Sequence, residues 1–128
     1  MTGGGPGACP CGGGRDATRC CAPLLAGRPA PTAERLMRSR YTAHVLGDLD
    51  HLLASWHPST RPRTLTLQPD LTWTGLTVLT TQRSGLLDDD GVVEFRATWV
   101  QGEPGVLHEV SRFVREGRNW FYVDGLTP

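Results

Sequence analysis

All four cysteines of the chain lie between Cys9 and Cys21, and this clustering constrains what the surrounding chain can fold into. Cys9 and Cys11 form a Cys-x-Cys pair, Cys20 and Cys21 are adjacent, and glycines fill positions 12–14. Those glycines let the backbone turn back sharply, because glycine adopts positive φ without strain. Four thiolates satisfy a tetrahedral zinc ion and leave no open coordination position. The spacing therefore predicts a closed, structural Zn²⁺ site with Cys9, Cys11, Cys20 and Cys21 as ligands.

Two disulfide bonds are the alternative use of four cysteines, and they need an oxidising compartment. The first eight residues lack the basic start and the apolar run of a secretory signal, so we expect a cytoplasmic protein. We therefore favour zinc over disulfides or redox-labile thiols. Arg15 and Arg19 lie between the two cysteine pairs, where we expect them to offset the negative charge of a four-thiolate site.

The pattern Cys-x-Cys-x(8)-Cys-Cys, with glycines after the second cysteine, resembles the C-terminal zinc motif of SecA. Gly13 stands where that motif usually has serine, a loop position at which we expect zinc binding to survive. With residues 20–43 and the run Leu107-His108-Glu109-x-Ser111-x-Phe113, the motif resembles the YchJ-type family of small bacterial proteins over nearly the whole chain. The resemblance implies a cone-shaped fold similar to nuclear transport factor 2, with a pocket between sheet and helices. It also implies a zinc knuckle that docks on a protein or ribosomal partner.

The chain divides by composition into four parts. We predict a disordered N-terminus over residues 1–8, a zinc knuckle over 9–21, an extended proline-rich connector over 22–31 and one α+β domain over 32–128. No apolar run approaches the ~20 residues that a membrane-spanning helix needs, so we expect no membrane span.

Two helices are predicted at the start of the domain. Thr32 is placed to cap a helix that ends at Gly47, and Asp48 to cap a second helix that ends before Pro58. On the second helix His51 is expected to face solvent. Helical periodicity places on one face of the first helix, in chain order, Ala33, Leu36, Met37, Arg40, Tyr41 and His44. Arg35, Arg38 and Thr42 lie opposite.

From Thr64 onward apolar residues recur with period two, which is typical of strands. We predict strands over residues 64–67, 76–82, 92–100, 106–115 and 120–124, with connections at 101–105 and 116–119. Helices followed by an antiparallel meander define an α+β fold, in which two N-terminal helices pack in a curved sheet.

Alternation in the fourth predicted strand puts Glu109 and Ser111 on an otherwise apolar face. If that face is concave, Glu109 becomes an acceptor for Arg40 or His44. The candidate pocket residues are Arg40, Tyr41, His44, Glu109, Ser111 and Tyr122. Two interpretations stay open, a ligand or acid–base site and a polar network that specifies the core, and we favour the network.

The sequence does not identify a reaction. It contains no nucleophilic triad, phosphate-binding loop or dinucleotide fingerprint, so no catalytic residue is assigned and we lean away from an enzyme. Thirteen basic and thirteen acidic residues give a formal net charge of zero, and we interpret the arginines of the N-terminal half as solvated charge rather than a specific nucleic-acid site. The first hypothesis is a small zinc-binding interaction or accessory protein. The alternative is a small-molecule binder or weak acid–base enzyme, and cone folds also suggest a homodimer through the sheet.

Overall fold

The computed structural model describes residues 8–14 and 18–128. Its elements are α1 (Ala22–Leu25), α2 (Ala33–Leu46), α3 (Leu49–Ala54), β1 (Thr72–Gln82), β2 (Asp90–Gln101), β3 (Glu103–Glu116) and β4 (Asn119–Leu126). The strands form one antiparallel sheet in the order β1-β2-β3-β4. The predicted α+β class, with helices preceding an antiparallel meander, is confirmed. Of the N-terminus predicted to be disordered, all but Ala8 lies outside the described residues.

The helix caps are those that the sequence predicts. Thr32 accepts a hydrogen bond from the backbone N–H of Arg35 at 3.2 Å, and α2 ends at Gly47, whose φ of +75° suits glycine. Asp48 accepts from the backbone N–H of His51 at 3.0 Å and so begins α3. These side chains satisfy N–H groups that the first turn of a helix leaves unpaired.

α3 ends at Ala54, earlier than the Pro58 boundary predicts, because the chain leaves the helix to run beside β4. The backbone carbonyl of Ser55 accepts from Tyr122, and the backbone N–H of His57 donates to Tyr122, both at 2.8 Å. This short parallel pairing covers part of the outer edge of β4 and brings Trp56 next to Tyr122.

Three predictions about the strands and their connections are wrong. Residues 64–67 form no strand. Leu65 and Leu67 are half-buried and the two threonines are exposed, so the alternation arises because one side of this segment packs on the domain. β1 begins at Thr72, before the predicted start, because register shifts after Trp73 and Val78 break its period of two. The connection between β2 and β3 is Gly102 alone, with φ +77°.

The connector is not extended throughout, because its first four residues form α1. Leu24 in this helix is only 4% exposed, so it anchors the segment to the domain. The division of the chain at residues 9–21 and 22–31 stays a prediction.

α2 lies between the cysteine cluster and the sheet, and both sides of it are covered. The buried core joins the four cysteines, α2 residues such as Leu36 and Met37, and sheet residues such as Phe95 and Phe113. α2, with 14 residues, is the longest helix in the described part of the chain, and none there is long and apolar enough to cross a membrane.

Candidate functional site: a four-cysteine cluster and an adjoining cavity

The four cysteine sulfurs lie within 4.8 Å of one another. Cys11 Sγ is 3.4 Å from Cys20 Sγ, and Cys20 Sγ is 3.9 Å from Cys21 Sγ. Zn–S bonds of about 2.3 Å in a tetrahedron require sulfur–sulfur edges of about 3.8 Å. All four side chains are buried and none is paired in a disulfide. The arrangement therefore fits a metal ion bound by four thiolates.

Crowding and burial set the protonation of the cluster. Hydrogen bonding, from Cys21 first, lowers the pKa of Cys11 to about 5. Burial, followed by the Cys11 side chain, raises the pKa of Cys20 to about 12. The hydrogen bond with Cys11 also raises the pKa of Cys21 above its ordinary value. Four adjacent thiolates thus need a cation to become stable together, which is the chemistry that a bound metal ion supplies.

Three side chains of α2 fasten the cluster to the domain. Arg38 Nη1 donates to the backbone carbonyl of Cys11 at 2.8 Å, and Arg35 Nη2 donates to that of Cys20 at 3.1 Å. Thr42 Oγ1 lies 3.7 Å from Cys9 Sγ. The sequence places these three residues opposite the apolar stripe of α2 and gives them no role. The sequence feature that could have identified them is their spacing of three and four residues, which places them together on a second face of the helix.

Arg15, one of the two arginines predicted to offset the charge of the site, lies outside the described residues, and its role stays a prediction. Gly13, the loop position where the SecA motif usually has serine, lies beside two of the cysteines. A Cβ on Gly13 would be 3.2 Å from Cys11 Sγ and 3.4 Å from Cys20 Sγ. A side chain at this position would therefore contact the sulfurs directly.

On the other side of α2 a cavity of about 280 Å³ opens between the helix and the sheet. Its lining contains all six predicted pocket residues, namely Arg40, Tyr41, His44, Glu109, Ser111 and Tyr122. Sequence reasoning missed Trp56 and Trp73, which also line it. Trp56 is positioned at the cavity by its pairing with β4, and Trp73 by an irregular stretch of β1. Neither position follows from periodicity.

Arg40 is buried against two aromatic rings. Its Cζ lies 4.5 Å from the centroid of Tyr122 and 5.1 Å from that of Trp56. Nη1 donates to the carbonyl of Leu52 at 2.8 Å and to Ser55 Oγ at 2.6 Å, whereas the sequence predicts Glu109 as its acceptor. Burial lowers the pKa of Arg40 to about 10, so the guanidinium keeps its charge at neutral pH.

Glu109 is fixed by its own strand and by a glycine opposite. Ser111 Oγ donates to Glu109 Oε2 at 2.5 Å. A Cβ on Gly125 would lie 2.1 Å from the same oxygen, so the carboxylate occupies the space of an absent side chain. Burial first, and then the Glu109 carboxylate, raise the pKa of Tyr122 to about 12. Glu109 therefore points into the cavity next to a phenol that keeps its proton.

The histidines differ in their surroundings. His44 lines the cavity with its ring centroid 5.8 Å from that of Trp73, and burial lowers its pKa to about 4. His51 is not solvent-exposed as predicted: it is half-buried, its Nε2 lies 2.9 Å from Ser39 Oγ, and burial lowers its pKa. The second face of α3 is covered because α2 packs beside it.

Comparison with known proteins supports the same architecture. Residues 32–125 match the family model described as "YchJ, middle NTF2-like domain". A UPF0225 protein from Chromobacterium violaceum is 51% identical over 125 residues, covering 93% of this chain and 92% of the relative. A UPF0225 protein from Streptomyces coelicolor is 48% identical over 118 residues, covering 91% and 93%.

Two solved structures are similar. The solution structure of a SEC-C motif containing protein from Rhodopseudomonas palustris has a TM-score of 0.82 and 31% identity, covering 94% of this chain and 98% of that one. The crystal structure of a SEC-C motif containing protein from Psychrobacter arcticus has a TM-score of 0.75 and 25% identity, covering 94% and 82%.

Fold and site together define a small α+β protein of the nuclear-transport-factor-2-like class that has a four-cysteine cluster suited to a metal ion. Within that class, the chain belongs to the YchJ family.

Proposed function

We propose that this protein is a small zinc-binding accessory protein, in which a closed four-thiolate site holds a knuckle that docks on a protein or ribosomal partner. The observation that carries the proposal is the convergence of four buried sulfurs within 4.8 Å of one another. Sulfur separations of 3.4 and 3.9 Å are far longer than the ~2.05 Å of a disulfide bond. Reduced thiols also favour a reducing compartment, which supports the cytoplasm as the location.

Zinc is the metal best matched to this donor set. Tetrahedral sites of four thiolates are typical of structural zinc, although iron also accepts four sulfurs. With every position filled by sulfur, the ion has no place for water, so its role is to hold the knuckle in shape.

A test of the metal site combines elemental analysis with thiol titration on protein purified without chelator or added zinc. We expect about one zinc ion per chain, with four thiols that react only after the metal is removed. Iron in place of zinc, or four unreactive cysteines without metal, would overturn the zinc assignment.

The outer side of the knuckle supports partner docking. Residues 12–14, Thr18 and Arg19 are exposed around the buried sulfurs, so the site presents a small surface whose shape depends on the metal. The two solved structures of similar fold are both described as SEC-C motif containing proteins, which supports a shared N-terminal motif.

A photo-crosslinking residue at Thr18 tests docking, with the same residue at Leu87, which is 94% exposed, as the matched control. Inside bacterial cells we expect a discrete adduct with one protein from position 18 and none from position 87. Equal adducts from both positions, or none from either, would contradict the docking proposal.

The cavity supports a second function, binding of a small molecule. The supporting observation is that Arg40, His44 and Glu109 line one space of about 280 Å³ among aromatic rings. The Glu109→Gln and His44→Ala variants test this function against a purely structural role of the polar network. A ligand site predicts lost binding with stability retained, whereas loss of the fold in both variants favours the structural role.

A further inference from the structure

The cavity between α2 and the sheet has the aromatic walls of a site for a flat molecule. Trp56 and Tyr122 meet edge to face with ring centroids 5.0 Å apart. Tyr41 and Trp73 do the same at 6.1 Å. The volume of about 280 Å³ is close to the lower end of the range of ligand pockets, about 300 Å³. Rings of this kind favour aromatic ligands, because stacking adds to the free energy of burying apolar area.

The charges in the lining balance. Among the residues that border the cavity, Arg40 supplies one positive charge and Glu109 one carboxylate. His44 is neutral at physiological pH because burial lowers its pKa to about 4. A cationic ligand would be buried beside Arg40 and an anionic one beside Glu109, and each unpaired charge carries a desolvation cost. The lining therefore favours an uncharged ligand.

Hydrogen-bonding capacity remains on both charged groups. Arg40 uses Nη1 for its bonds to Leu52 and Ser55, and a guanidinium has five N–H donors. Glu109 accepts from Ser111 Oγ on Oε2 and also from the phenol of Tyr122, and because a carboxylate offers about four lone-pair sites, acceptor capacity remains for a ligand. A ligand edge with one acceptor and one donor satisfies both groups.

We propose that this cavity binds an uncharged, planar heteroaromatic ring with an N–H beside a C=O, the lactam pattern. Glu109 accepts the ligand N–H, Arg40 donates to the ligand C=O, and Trp56 and Trp73 contact the ring. The inference rests on the second function proposed above, since it names the ligand class of that site. Gly125 contributes by leaving room for the Glu109 carboxylate, whose oxygen lies 2.1 Å from where a Cβ would be.

Four single-ring probes separate this class from the alternatives. The full-length, metal-loaded protein is titrated with 2-pyridone (a lactam), toluene (no polar edge), benzylammonium (a cation) and benzoate (an anion). The indole N–H signals of Trp56 and Trp73 in NMR spectra report binding inside the cavity. We expect 2-pyridone to bind at least about tenfold more tightly than each other probe, because it alone offers an acceptor to Arg40 and a donor to Glu109.

Glu109→Gln is expected to weaken 2-pyridone binding about tenfold, because a charge-assisted bond becomes a neutral one, and to leave toluene binding unchanged. Glu103→Gln, at the exposed start of the same strand, is the matched control and should change neither. The ranking of the four probes on the unaltered protein stands even if Glu109→Gln does not fold.

Tighter binding of toluene, benzylammonium or benzoate would overturn the lactam class and leave the cavity as a ligand site. If no probe shifts the two indole signals, both the ligand class and the binding function of the cavity are wrong.

Discussion

At the scale of single residues, glycine determines where a carboxylate can be buried. Glu109 and Ser111 lie on a face of β3 that is otherwise apolar, and the Glu109 side chain fills the space opposite Gly125 of β4. Ser111 then fixes one oxygen through a 2.5 Å hydrogen bond. The sequence indicates the glutamate by alternation, but the need for glycine follows only from the pairing of Gly125 with Ser111 across the two strands.

Gly125→Ala should destabilise the protein by about 1–3 kcal/mol, because the new methyl group overlaps the Glu109 carboxylate. Urea unfolding measures the loss, and Gly85→Ala, whose Cβ would be 3.5 Å from its nearest neighbour, serves as the control. Adding Glu109→Ala to Gly125→Ala should restore part of the stability. An equal loss with and without Glu109 would show that the two residues are not coupled.

His44 makes stability depend on pH. Its pKa is about 4 in the folded protein, against 6.5 for an ordinary histidine, so the unfolded chain binds more protons between these values. The free energy of unfolding therefore has its full contribution from neutral His44 only well above pH 6.5. That contribution falls by up to about 3 kcal/mol as the pH approaches 4.

The measurement is urea unfolding from pH 6.5 to 4 for the unaltered protein and for His44→Phe, which keeps a ring against Trp73. His51 and loss of metal affect both proteins equally. Subtracting one unfolding free energy from the other at each pH therefore leaves the contribution of His44. We expect a shallower decline in the variant, and parallel curves would contradict the assignment.

At the scale of elements, α2 organises the molecule because its two faces make different contacts. Arg35, Arg38 and Thr42 contact the cysteine segment, while Met37, Arg40 and His44 border the cavity. The same helix therefore positions both the cysteine segment and one wall of the cavity. The knuckle is therefore attached along the helix rather than held at a flexible end.

Arg38→Met should weaken this attachment by about 1.5–3 kcal/mol, because it removes hydrogen bonds from a charged donor to Cys11 and Glu34. Release of zinc to a colorimetric chelator should become faster. Arg112→Met is the matched control, since its exposed pair with Asp124 contributes about 0–1 kcal/mol. Equal release rates in the two variants would show that Arg38 does not hold the knuckle.

The elements themselves were largely predictable, and their contacts were not. Thr32, Gly47 and Asp48 mark helix ends because capping is a local interaction of side chain and backbone. The strand predicted at residues 64–67 was wrong because alternation also arises when one side of an extended segment packs on a domain. The convergence of the four cysteines followed from their spacing, whereas the contacts of Arg35 and Arg38 depend on which face of α2 the cluster covers. Periodicity identifies faces but does not say what lies against them.

At the scale of the whole molecule, the cysteine cluster and the sheet belong to one core that α2 joins. A structural metal ion contributes its binding free energy to folding, so metal removal should affect the segments in contact with the cluster most strongly. The sheet has 12 and 14 residues in its two central strands and extensive pairing of its own, so it should retain its structure. The homodimer through the sheet stays a prediction.

Hydrogen–deuterium exchange with and without a zinc chelator tests this account most directly. We predict that removal of the metal increases exchange in residues 18–25 and along α2, while β2 and β3 stay protected. Addition of zinc should restore the original protection. Unchanged exchange in α2 after the metal has been removed, or uniform loss of protection through the sheet, would contradict a metal site that fastens the knuckle to this helix.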